Sequence, residues 1–268
     1  MRILLLITIF VASISQASAQ EDKVEYSTFK LSDTVSMLRG RGGTVGISSG
    51  DDGVYIIDDH LQPITDQLLE AISEISEQPV RFVINTHYHP DHVGGNEAIG
   101  DTGAVIIAHD NIRSRMTSEQ VSIFLDRTTP PYAEGALPVL TFNERISLHF
   151  NGESATAYYV PNGHTDGDSI IHFPASNVIH MGDMYFNGLY PYVDLDAGGS
   201  IQGVIAAADL GLSLANESTS IIPGHGPLAT TADLQKYRDY LVRAVANVQA
   251  LIDQGMALDQ AIDARPTA

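Results

Sequence analysis

The chain has 268 residues, with 14 Lys+Arg against 33 Asp+Glu, a net charge of −19 and no cysteine. So acidic a surface repels nucleic acid and anionic membranes, and a chain without cysteine can form neither disulfides nor thiolate metal sites. The length is ample for a hydrophobic core and fits one large α/β domain.

Residues 1–19 carry Arg2, an apolar run and a small-residue Ala17-Ser18-Ala19 site. That layout predicts a secretory signal peptide cleaved near Ala19, hence a periplasmic or secreted protein that no membrane holds after cleavage. Residues 20–268 are then expected to form a single domain. The run GTVGISSGDDGVYIID, 43–58, predicts two strands around a Gly-Asp-Asp-Gly turn. Next, Ile64, Leu68, Leu69, Ile72 and Ile75 recur at helical spacing, and Pro79 ends that helix. VRFVIN, 80–85, and AVIIAH, 104–109, read as buried strands, and NIRSRMTSEQVSIFL, 111–125, reads as a helix. From about residue 138 short β-rich runs dominate: RISLHF, ATAYYV, SIIHF and NVIHMG. A helix over 200–215, a strand and loop over 220–226, and a long amphipathic helix ending at Gly255 complete the chain. Strands and helices alternate in both halves, which predicts one layered α/β unit.

The informative stretch is NTHYHPDHVGGN, residues 85–96, which places His87, His89, Asp91 and His92 directly after a predicted buried strand. Strand C-termini are where α/β proteins place reactive loops. In an extended segment His87 and His89 point the same way and can reach one ion, while Asp91 and His92 in the tightening turn point elsewhere. Three more potential ligands each follow an apolar strand: His164 in PNGHTDGDS, Asp183 in VIHMGDMYF and His225 in IIPGHGP. Imidazole and carboxylate without thiolate suit Zn²⁺, and also Fe, Mn or Co. His109, His149, His172 and His180 lie at strand-like positions and read as structural, while His60 is a candidate for the rim of a pocket.

HYHPDH resembles the His-x-His-x-Asp-His signature of the metallo-β-lactamase superfamily of hydrolases. GVYIID with Asp58, GHTDGDS with His164, MGD with Asp183 and PGHG with His225 follow in the family's order, so the resemblance covers about residues 30–240. It implies a four-layer αββα sandwich. It implies also that His87, His89 and His164 hold one zinc ion, that Asp91, His92 and His225 hold a second, and that Asp183 bridges them. In that arrangement a hydroxide shared by the ions attacks the carbonyl of an amide, lactam, lactone or ester. Asp91 orients it, and Asp58 is the candidate acceptor that fixes an imidazole tautomer.

The best-known secreted lactamases of the family carry Cys where Asp183 stands and Lys where Phe186 stands. Phe186 cannot pair with a substrate carboxylate, so at most weak lactam hydrolysis is expected, and the Asp ligand resembles lactonases and thioesterases. Tyr190 and Tyr192 follow closely and are candidates for the pocket wall or for donating to an oxyanion. A glyoxalase-type thioesterase would show a basic C-terminal patch for glutathione, which ALDQAIDARPTA nearly lacks. A nuclease branch would carry a basic surface. The remaining alternative is a non-catalytic periplasmic metal-binding module. The expected partner is a small-molecule substrate.

Overall fold

A computed structural model describes residues 23–267. The expected signal peptide lies outside the described residues. The first sheet is built from β1 (Ser27–Lys30), β2 (Val35–Arg39), β3 (Thr44–Gly50) and β4 (Gly53–Ile57), joined as antiparallel neighbours. Helix α1 (Thr65–Ser73) then crosses over to β5 (Val80–Ile84). The short helices α2 (Pro90–Val93) and α3 (Asn96–Asp101) lead to β6 (Val105–His109), followed by α4 (Asp110–Met116). A separate hairpin, β7 (Gln120–Ser122) with β8 (Arg127–Thr129), precedes β9 (Leu140–Phe142). Strands β4, β5, β6 and β9 run parallel, giving the sheet order β1-β2-β3-β4-β5-β6-β9.

The second sheet contains β10 (Arg145–Phe150), β11 (Glu153–Tyr159), β12 (Ser169–Phe173), β13 (Val178–His180), β14 (Ser220–Ile222) and β15 (Ala229–Thr230) in chain order. Helix α5 (Ile201–Leu214) lies between β13 and β14, and α6 (Thr231–Asp253) and α7 (Leu258–Asp263) close the chain.

Three apolar interfaces define four layers. Between the sheets, Met37, Tyr55, Ile57 and Ile84 meet Ala157, Ile171, Phe173 and Ile222. Because side chains alternate along a strand, Val54 and Ile56 face the other way, onto Leu68 and Ile72 of α1. On the far side, Ile170, Ile179 and Ile221 pack on Val204 and Ala208 of α5 and on Leu234 and Leu241 of α6. The architecture is the αββα sandwich expected from the sequence.

The helix expected over 111–125 stops at Met116. Thr117 and Ser118 turn their hydroxyls back onto the Ser114 carbonyl, and the Gln120 amide donates to the Arg115 carbonyl. Beyond that point Val121, Ile123 and Phe124 are 55%, 79% and 79% exposed, so a continued helix would have had no apolar face to bury. The β-branched residues pair as a hairpin instead. The edge strand β1 and its neighbour β2 were not apparent from the sequence.

Candidate metal centre

Strand direction gathers the site. Strands β4 and β5 run parallel, as do β13 and β14, so their C-terminal ends lie at one edge of the sandwich. Strand β11 is two antiparallel steps from β13, so its end lies there too. Asp58 follows β4, and His87, His89, Asp91 and His92 follow β5. His164 follows β11, Asp183 follows β13 and His225 follows β14.

The turn after β5 is pinned from below. The Asn85 side chain donates to the His92 carbonyl at 3.1 Å and exchanges hydrogen bonds with Asn96, while the Gly95 amide donates to Asp59. Asp183 depends on a glycine. A Cβ on Gly224 would fall 2.0 Å from Asp183 Oδ1, so only glycine lets the His225 loop pass.

The seven expected ligand residues form two adjoining sets, His87, His89, His164 and Asp183, and Asp91, His92 and His225, each with ligand atoms within 4.8 Å of one another. Asp183 stands between them. Its Oδ2 is 3.8 Å from His87 Nε2, 3.7 Å from His164 Nε2 and 3.2 Å from His225 Nε2, and its Oδ1 is 3.2 Å from His92 Nε2. Asp91 Oδ2 is 3.3 Å from His225 Nε2 and 3.6 Å from His92 Nε2.

The outward ring nitrogens decide whether these residues fit a cation. His164 Nδ1 donates to the Tyr192 carbonyl at 2.7 Å, and His89 Nε2 donates to Asp194 Oδ2 at 2.9 Å. Thr86 Oγ1 donates to Asp58, so it accepts from His87 Nδ1 at 3.1 Å. With their protons committed outward, the three rings turn lone pairs inward. His89 Nδ1 lies 2.9 Å from His164 Nε2 and 3.1 Å from His87 Nε2. Lone pairs held that close repel unless a cation lies among them. In the other set His92 Nδ1 donates to Asp58 Oδ2 at 2.8 Å, leaving Nε2 to face the carboxylates. His92 Nε2 and Asp183 Oδ1 are buried and have no hydrogen-bond partner, an arrangement that costs free energy unless a ligand satisfies them. The donor set fits divalent cations of the zinc type.

Charge is divided between the sets. Burial pushes the His164 imidazolium down to about 4, helped by His89, and burial with the charge of His92 holds His87 well below 6.5. Burial alone would lower His92, but Asp183, Asp91 and Asp58 raise it well above its ordinary value. Burial is likewise outweighed at His225, which its hydrogen bonds to Asp183 and Asp91 raise to about 9. Burial would raise Asp91 and Asp183, yet their histidine neighbours hold both well below the usual carboxylate range. The carboxylates thus draw protons to positions where a metal cation would serve as well.

A cleft of about 210 Å³ opens over these groups, enough for a small molecule, with His89, Asp91, Asp183 and His225 at its base. Phe186 and Tyr192 form part of its wall, and the Phe186 ring stacks on His225 at 5.1 Å and 10°. Tyr190 does not reach it: the ring is 71% exposed in a separate groove beside Tyr240. His60 is no rim residue either. It is fully buried with φ +62, stacked on Tyr26 and held near 4 by burial. His109 caps α4 and stacks on Tyr159, and His180 is buried and holds the Gly182 amide. Sequence reasoning missed Asp194, Thr86 and the Tyr192 carbonyl, which orient three of the imidazoles. Only the two acids, Asp194 and Asp196, ahead of the Gly198-Gly199 pair in DLDAGG hinted at a polar turn there.

Fold and site together define a four-layer α/β sandwich that presents two linked ligand sets at one sheet edge. The chain belongs to the metallo-beta-lactamase superfamily, whose family model matches residues 40–246. It is similar to the 2,4-dinitroanisole O-demethylase subunit alpha of a Nocardioides species, at 27% identity over 58% of this chain and 47% of that protein. It is also similar to the hydroxyacylglutathione hydrolase of Hyphomonas neptunium, at 30% identity over 55% of this chain and 44% of that protein. The chain thus spans less than half the length of these curated relatives. A metallo-beta-lactamase from Pontibacter korlensis shares the fold, with a TM-score of 0.65 at 19% identity over 81% of this chain and 99% of that one.

Proposed function

We propose that the chain is an exported, dinuclear-zinc hydrolase of small carbonyl substrates, with esters, lactones and thioesters ahead of lactams. The observation that carries this is the convergence of three outward-fixed imidazoles beside a carboxylate that also reaches a second ligand set. A storage site has no need of a carboxylate placed between two sets. His87, His89 and His164 would hold one ion, Asp91, His92 and His225 the other, with Asp183 common to both. When bound, the ions supply Lewis acidity towards a carbonyl oxygen and lower the pKa of water. Asp91 Oδ2, at the base of the cleft and partly open to it, is placed to hold and orient a proton of the attacking water. Asp194, Asp58 and Thr86 keep the imidazoles in the ligating tautomer. Phe186 and Tyr192 exclude bulk water along one wall.

Phe186 argues against efficient binding of carboxylate-bearing lactams on that wall, and two of the relatives, a hydroxyacylglutathione hydrolase and a 2,4-dinitroanisole O-demethylase subunit, fit a non-lactam substrate. The acidic charge and the small cleft support a small-molecule substrate rather than nucleic acid. Among the described residues no helix is long and apolar enough to cross a membrane. The test is metal analysis with turnover of ester, lactone, thioester and lactam panels before and after chelation. Two bound ions, loss of turnover on chelation and loss of both metal and turnover in His89→Ala are expected. Bound metal with no turnover on any panel would favour a metal-binding module. Sequencing the exported protein should find its N-terminus near Gln20.

A further inference from the structure

The hairpin β7–β8 forms the wall of the cleft that faces the ligand residues from outside the two sheets. Its register pairs Gln120 with Thr129 and Ser122 with Arg127. Alternation along each strand therefore puts these four polar side chains on one face, and all four line the cleft, while Val121 faces the other way and is 55% exposed. A solvated hairpin would show its polar face to water; this one turns it to the site.

Arg127 is the single Lys or Arg among the cleft-lining residues. Among the described residues its guanidinium has no ion-pair partner, whereas Arg115 and Arg238 do. The carboxylates of the cleft are already engaged: Asp194 by His89 and Tyr88, and Asp91 and Asp183 by the histidines. The hairpin is also held in place. Arg115 forks onto Asp166 at 2.6 and 2.8 Å and reaches Gln120 at 2.8 Å. The Ile123 amide donates to Asp196 at 2.6 Å, and Ser122 meets the Tyr192 hydroxyl at 3.3 Å. So Arg127 is presented from β8, which pairs with the anchored strand β7.

We propose that Arg127 is the specificity-determining residue of this site, binding an anionic group, a carboxylate above all, carried by the substrate away from its scissile carbonyl. The guanidinium suits a carboxylate because its fork matches the two oxygens. On a chain of net charge −19 an unpaired, solvent-exposed cation at the wall of a cleft is also the point where an anion is attracted rather than repelled. The apolar Phe186 wall leaves the recognition of charge to the hairpin. This inference rests on the hydrolase reading above.

The test uses metal-loaded full-length protein and two matched pairs of p-nitrophenyl esters: the glutarate and adipate half-esters, which end in a carboxylate, and the neutral pentanoate and hexanoate esters. The ratio of kcat/KM for anionic over neutral esters should fall about tenfold in Arg127→Met, mainly through KM, and should be largely kept in Arg127→Lys. An unchanged ratio, or an equal fall for both kinds of ester, overturns the proposal. If the wild type turns over neither kind, these esters are not its substrates, and the hydrolase reading is judged by the lactone, thioester and lactam panels. Calorimetric titration with glutarate then decides the role of Arg127. About tenfold weaker binding in Arg127→Met supports it. Equal binding, or no binding by the wild type, overturns it.

Discussion

Asp58→Asn is the sharpest probe of the second ligand set, because it changes proton bookkeeping without changing shape. The buried carboxylate accepts from the Thr86 amide at 2.7 Å, from the Thr86 hydroxyl at 2.8 Å and from His92 Nδ1 at 2.8 Å. An amide can keep the oxygen towards the Thr86 N–H, but its NH₂ then meets the His92 Nδ1–H, donor against donor. Turned the other way, the NH₂ opposes the buried Thr86 amide. His92 escapes the first conflict only by moving its proton to Nε2, the nitrogen that faces Asp183 and Asp91. A ring protonated there cannot ligate. Losing one charge-assisted hydrogen bond costs about 1.5–3 kcal/mol, a factor of about 10–150 in an equilibrium constant. That agrees with the ~10–100-fold loss of metal affinity usual when such an acceptor is removed. Competition with a chromophoric chelator should show the ion of the His92 set weakened by that factor, and the ion of the His87, His89 and His164 set less. Unaltered affinity and stoichiometry for both ions would refute the reasoning.

Three further outcomes follow from the geometry. Gly224→Ala should cost bound metal as well as stability, because the new methyl would displace Asp183; metal analysis checks it, and full occupancy would contradict the close approach. In metal-free protein the raised pKa of His225, about 9 against 6.5, adds stability that is complete below pH 6.5 and is lost as pH rises through 9. Thermal melts of chelated protein should therefore fall over that window, whereas metal-loaded protein, with ligation in place of the proton, should not show that fall; a flat chelated profile would count against it. Phe186→Lys should lower KM for carboxylate-bearing lactams at the cost of the stacking on His225, and steady-state kinetics with an unchanged KM would argue that this wall is remote from the substrate.

The convergence of the candidate ligands was legible in the sequence because each follows an apolar strand. Given that strands carry ligands at their C-terminal ends, VRFVIN before His87, NVIH before Asp183 and SII before His225 sufficed to place three loops at one edge. Asp58 was legible by the same logic, at the end of β4. What escaped notice lies where no strand leads. Asp194 sits in a loop without regular structure, and its position depends on a long-range bond from its own amide to the His164 carbonyl. No local pattern encodes such a return. His60 stays out of the cleft because its side-chain direction is set by a left-handed backbone, φ +62, which stacks it on Tyr26.

The hairpin misled for a different reason, and that reason bears on function. Residues 117–125 would continue the expected helix only if their apolar side chains found a surface, and Val121, Ile123, Phe124 and Leu125 stay exposed. What fixes them is polar: Arg115 to Gln120, Ile123 to Asp196 and Ser122 to Tyr192. Each of these bonds ties the hairpin to α4 or to the loop that carries Asp194 and the Tyr192 carbonyl, the groups that orient His89 and His164. The wall that would select the substrate and the loop that orients the ligands are therefore one connected unit. Substitutions at Asp196 should accordingly disturb substrate preference and metal affinity together.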